Sequence, residues 1–172
     1  AAVIPEQYPV AKPLMLFIPP GNKEKGIQQL RIAAEKGRYA SVESMYFLMQ
    51  LYFQYERNYP EAFALAQKLH ARFPDNMIFH KYLGRCFLSL NNWPMVEQVF
   101  KDIMEKVHKG KRGYNAQAER EATYYLGLVD MNRQQYESAL KWFFTCDARS
   151  HRLDSSEPSG FMVMAILKVG NV

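Results

Sequence analysis

Apolar residues return along this chain at helical spacings, and they do so three times in the same order. After Tyr59, Trp93 and Tyr136, the offsets +3, +7 and +10 carry Ala62, Ala66 and Leu69; Val96, Phe100 and Ile103; and Ala139, Phe143 and Cys146. These offsets share one face of a 3.6-residue helix, so each set predicts an amphipathic helix with a buried stripe. Pro60 and Pro94 directly follow the aromatic residue, where a missing N–H costs nothing because the first helical turn has unpaired donors in any case. Each aromatic therefore marks a helix start.

A second helix precedes each start. Tyr82-Leu83-Gly84 recurs as Tyr125-Leu126-Gly127, with each leucine ten residues before its aromatic, while Phe47-Leu48-Met49 stands one residue further from Tyr59. The extra residue is placed in the turn around Glu56-Arg57-Asn58. A glycine on the first helix lets two helix backbones approach closely, so the unit is a helical hairpin. From Tyr59 to Trp93 is 34 residues and from Trp93 to Tyr136 is 43, so nine residues are inserted in the last interval. They fall around Val107 to Asn115, where Gly110 and Gly113 predict a loop or an extended helix end. Gly26-Ile27, Leu30 and Ala33 read as the second helix of an earlier unit, and Phe161 to Lys168 as the first helix of a unit left incomplete.

Leucine and glycine in the first helix, then an aromatic, a small residue and an aromatic in the second, is a pattern that resembles the tetratricopeptide repeat family over about residues 26 to 168. The copy from Thr123 to Cys146 has Leu126, Gly127, Tyr136, Ala139 and Phe143 in family positions, with Cys146 in place of the usual alanine. The copy from His80 to Ile103 has Phe87 at the first-helix aromatic position and Val96 where alanine is usual. In the first copy Pro74 matches the closing proline, but Met49 replaces the glycine and Ala66 the aromatic. The resemblance implies an all-α fold, a right-handed α-α superhelix or solenoid of about three hairpins. They are expected at residues 41–74, 76–109 and 114–150, with partial units at 23–38 and 157–169 and an extended leader over 1–22. A further echo, Phe17-Ile18-Pro19-Pro20-Gly21 leading into Glu24-Lys25-Gly26 and then Glu35-Lys36-Gly37-Arg38-Tyr39-Ala40-Ser41, is similar to bacterial proteins distantly related to the eukaryotic inclusion-body clearance family.

In such a repeat array the first helices line a concave groove. By family register its inward positions are Tyr46 and Gln50, Lys81 and Arg85, and Tyr124, Leu128 and Asn132. The resemblance thus implies a non-catalytic interaction scaffold or adaptor that holds a peptide or protein segment. Lys81 and Arg85, four residues apart on one helix face, are placed to receive a carboxylate together, the arginine offering a planar fork of donors. The plainer reading is two solvated charges. Chaperone-tail-binding members of the family add asparagines at set positions, and here Gln50 and Leu128 stand where those would be sought.

The net charge of +5, from 22 basic and 17 acidic residues, changes this picture only slightly, because both signs run through the same segments. The densest basic patch is Lys106, Lys109, Lys111 and Arg112, followed by Tyr114. It supports an alternative reading: an accessory domain of an envelope or nucleic-acid-associated complex that meets acidic partners through the insert 106–114, cations on phosphates and the tyrosine on a base. A solvated loop is the favoured reading of that patch, and nucleic acid is not the expected partner. Cys86 and Cys146 lack the spacing of a disulfide framework or zinc site. His70, His80, His108 and His151 show no metal-binding or catalytic spacing, so neither an active site nor a metal or cofactor is expected. Gly21 to Gly26 has the glycine spacing of a phosphate loop, but Ile27 and Gln28 stand where lysine and a hydroxyl residue are required. The apolar runs, Pro13 to Pro20 and Phe161 to Leu167, are shorter than the roughly 18 to 20 residues that cross a bilayer. The chain begins at Ala1 without a methionine, which fits a soluble processed chain or excised fragment, cytoplasmic or periplasmic. Residues 161–167 are the candidate surface for self-association, because a terminal repeat normally needs a polar face.

Overall fold

A computed structural model describes residues 22–154 and 157–171, and among these every regular element is helical. The helices are α1 (Lys23–Lys36), α2 (Ser41–Gln54), α3 (Tyr59–Arg72), α4 (Met77–Ser89), α5 (Trp93–His108), α6 (Ala116–Asn132), α7 (Tyr136–Leu153) and α8 (Gly160–Val169). Successive helices pack against one another within two compact units, which divide between Arg57 and Asn58. The architecture is an all-α helical repeat. Apart from Asn22, the expected leader 1–22 lies outside the described residues, and so does the Phe17–Gly21 segment.

In the first unit α1 packs on α2. Asn22 caps α1 by accepting a hydrogen bond from the Lys25 N–H at 2.8 Å, which satisfies one of the donors that a helix start leaves unpaired. Met45, Leu48, Met49 and Tyr52 form the buried face of α2, and the Arg31 Nε donates to the Tyr52 hydroxyl at 2.8 Å. The first expected hairpin, 41–74, spans the division, so α2 belongs with α1 and α3 with α4.

In the second unit α4 packs on α5 and α6 packs on α7, which runs to Leu153. All nine residues of the +3, +7, +10 pattern are at most 1% exposed. Each glycine of the repeated triplet supplies the seat for the aromatic of the following helix. A Cβ on Gly84 would stand 2.7 Å from the Phe100 ring, and one on Gly127 would stand 2.6 Å from the Phe143 ring, inside any permitted carbon contact. The turns match as well. At the end of α4 the Asn92 N–H bonds the Phe87 carbonyl and the Asn91 N–H bonds the Leu88 carbonyl, and at the end of α6 Gln135 bonds Asp130 and Gln134 bonds Met131. This is the paired 6→1 and 5→2 bonding that closes a helix through one left-handed residue, here Asn91 at φ 57° and Gln134 at φ 61°.

The nine inserted residues lengthen α5 and α6 and leave a turn over 109–115. Gly110, at φ 64°, closes α5 by the same two-bond turn. Buried positions run nearly all round α6, including Ala118, Ala122, Tyr124, Leu126, Gly127 and Val129, because α5, α7 and α8 all pack against it.

Candidate functional site

The seven positions expected to line one groove fall in both units. Tyr46 and Gln50 lie in the first unit, one helical turn apart, with the Gln50 amide donating to the Tyr46 hydroxyl at 2.9 Å. Tyr124 is buried between Phe143 and Phe161, with ring centres 6.0 and 5.6 Å away, so it is part of the core of α6, α7 and α8. Leu128 packs against the same cluster. Asn132 is exposed at the end of α6.

Lys81 and Arg85 do converge on a carboxylate, and the chain supplies it. Arg85 donates to Glu121 Oε1 from Nε at 2.7 Å and from Nη2 at 2.6 Å, and Lys81 Nζ reaches Oε2 at 3.4 Å. Glu121 stands on α6 and is 4% exposed. Burial alone would lower the Arg85 pKa, but the neighbouring Tyr125, Glu121 and Tyr82 outweigh it, and the net shift is upward. The pair is therefore a charged bridge between the first helices of two hairpins, and removing one partner strands a buried charge, which costs about 3 to 5 kcal/mol.

Beside this bridge lies a pocket of about 420 Å³. Met77 and Ile78 at the start of α4 and Phe161 of α8 give it apolar walls, Gly113 and Asn115 bring in the insert, and Lys81, Arg85 and Arg120 supply positive charge around Glu121. Arg120 fixes the α8 side. Its Nη1 donates to Asp154 Oδ1 at 2.7 Å and to Ser159 Oγ at 3.2 Å, and its guanidinium lies 5.5 Å from the centre of the Phe161 ring. Sequence reasoning missed Glu121, Arg120, Met77 and Ile78, because their partners are far away along the chain. One local signal was available: Glu121 lies among the small residues Ala118, Ala122 and Thr123, on a helix with no wide polar face.

The basic insert is largely neutralised from within. Lys111 pairs with Asp75 at 2.6 Å, Lys106 with Asp102 at 3.2 Å, and Lys109 with Glu105. Arg112 makes no ion pair among the described residues. Tyr114, which the alternative reading sets against a base and the favoured reading leaves in a solvated loop, is 4% exposed; its hydroxyl is 3.0 Å from His80 Nδ1 and its ring lies under Lys106. The cause is the neighbouring imidazole pair. The rings of His70 and His80 stack with centres 4.4 Å apart, and Tyr114 closes over them.

Burial lowers the pKa of both histidines, that of His80 to about 4. Burial also pushes the Cys86 thiol up to about 12 and the Cys146 thiol up to about 11, which keeps both as thiols at neutral pH. Among the described residues no cluster of three or more His, Cys, Asp or Glu is placed to hold a metal ion, and no helix is long and apolar enough to cross a membrane. On α8, Val163, Met164, Ile166 and Leu167 are exposed while Ala165 is buried, so the candidate self-association segment 161–167 is divided between core and surface. Comparison with protein-family models, with curated proteins and with solved structures finds no match to the chain.

Proposed function

We propose that the chain is a non-catalytic interaction module of the tetratricopeptide type, which holds a peptide or protein segment in the pocket between α4, α6, α8 and the insert. The pocket is the observation that carries this reading. It joins apolar walls to a few convergent polar groups, the composition expected of a specific binding site. Ile78 is 43% exposed at its rim, and an exposed branched apolar residue beside fixed charges suits a partner that covers it. The alternative, contact with acidic partners through the insert 106–114, is less well supported, because Lys106, Lys109 and Lys111 already have carboxylates and Tyr114 is buried.

An array of short peptides probed with the full chain tests the reading. Ile78→Asp places a charge in the apolar wall without entering the core and should weaken captured peptides by at least about fivefold, as expected for an interface anchor worth more than about 1 kcal/mol. Ile32→Asp, at an exposed position in the first unit, should leave them unchanged. Peptides that bind both variants as well as the parent would overturn the assignment.

A further inference from the structure

We propose that the insert 109–115 is an acid-released wall of this pocket, held in place by the Tyr114 hydroxyl on the neutral, stacked imidazoles of His70 and His80. The observation behind it is an adjacency in the chain. Gly113 and Asn115 line the pocket, and the residue between them points the other way, into the histidine pair. Whatever holds Tyr114 therefore sets the position of that wall.

The hydrogen bonding specifies which protonation state does the holding. His80 Nε2 faces Asp102 Oδ2 at 3.4 Å and Nδ1 faces the Tyr114 hydroxyl at 3.0 Å. A neutral imidazole with its proton on Nε2 donates to the carboxylate and accepts from the tyrosine, so both contacts are satisfied. Burial raises the Tyr114 pKa to about 12, which keeps that hydroxyl a donor. Protonating Nδ1 turns it into a donor, so this hydrogen bond must reverse and the hydroxyl reorient to accept. Protonation also sets a cation against the face of His70, whose own Nδ1 is buried without a hydrogen-bond partner.

Charges facing the pair come from every side. His70 is on α3 and His80 on α4, Asp102 and Lys106 are on α5, Asp75 is in the turn after α3, and Lys111 and Tyr114 belong to the insert. Lys106 opposes protonation of both rings, while Asp102 favours it. Lys106 is itself shared between Asp102 and Asp75, so the carboxylates are partly spent. Because the folded pKa of His80 lies below the unfolded value of 6.5, the holding contribution is complete above that pH and is lost as pH falls toward about 4.

The use of this wall as a gate rests on the pocket being a binding seat, but its release can be read without a ligand. Hydrogen exchange of the full chain, corrected for intrinsic rates, is followed by mass spectrometry from about pH 7.5 to about pH 4.5. Protection of 109–118 should fall by roughly tenfold or more while α7 keeps its own. Tyr114→Phe should show fast exchange of the insert already at neutral pH, with little further change in acid. His70→Phe, which keeps a flat ring and removes one titrating group, should shift the release to lower pH. The proposal is overturned if the insert keeps its protection until α7 loses it, or if Tyr114→Phe protects the insert as the parent does. A failed peptide array with a normal acid release would count against the binding seat alone.

Discussion

Two junctions in the second unit join helices by opposite means. Within each hairpin, an aromatic ring enters a glycine seat, Phe100 on Gly84 and Phe143 on Gly127, and the contact is dry and repeated. Where α4 meets α6 beside the pocket, Lys81 and Arg85 hold Glu121, a charged contact between the first helices of two hairpins. Hairpin formation is therefore the generic step, driven by apolar burial that any copy of the pattern supplies. The character of the pocket comes from residues outside the repeated pattern, contributed by α4, α6, α8 and the insert.

Breaking the dry junction should have the largest effect. Phe143→Ala removes a fully buried ring from a seat that a glycine cannot fill, and should lower unfolding stability by about 3 to 5 kcal/mol in urea titrations. A loss under about 1 kcal/mol would mean that the hairpin is not held by this contact. Next in size is the charged junction. Glu121→Ala leaves the half-buried Arg85 beside Lys81 without its carboxylate and should cost about 3 kcal/mol. Adding Arg85→Leu should recover most of that loss, since an apolar replacement of the whole pair is often neutral. If the double variant is no more stable than Glu121→Ala, the damage comes from packing rather than from an uncompensated charge.

The same contrast explains what the sequence revealed. The +3, +7, +10 stripe, the helix-start prolines and the repeated Tyr-Leu-Gly triplet are local and periodic, so they located α3 to α7 and the buried face of α3, α5 and α7. Lys81 and Arg85 were recognised as a carboxylate receiver from their spacing, but the carboxylate they hold is on α6, and no local pattern links positions so far apart. Tyr114 looked like an exposed aromatic beside lysines because the stacked histidines that bury it come from α3 and α4. Burial of Tyr124 was obscured in a similar way, since the family register describes one hairpin while Phe161 arrives from the helix after it.

The smallest expected effect concerns the turns, where the repeat departs from the residue chemistry that its geometry favours. Gln134 closes α6 at φ 61°, a left-handed conformation in which a side chain with a Cβ is strained by about 1 kcal/mol. Glycine is free of that strain but loses more backbone entropy on folding, so Gln134→Gly should stabilise the fold by only about 0.5 kcal/mol, seen as a small rise in melting temperature. Asn91→Gly at the equivalent turn should gain less, because asparagine tolerates the left-handed region better than glutamine does. Gly110→Ala, at the same backbone position after α5, should go the other way and lose about 1 kcal/mol. That order, Gln134→Gly above Asn91→Gly above Gly110→Ala, follows from how well each residue type tolerates the shared left-handed conformation. Should Gln134→Gly lower the melting temperature instead, the glutamine side chain must stabilise the turn by more than its backbone strain costs, and this hairpin would then owe part of its stability to a contact outside the repeat.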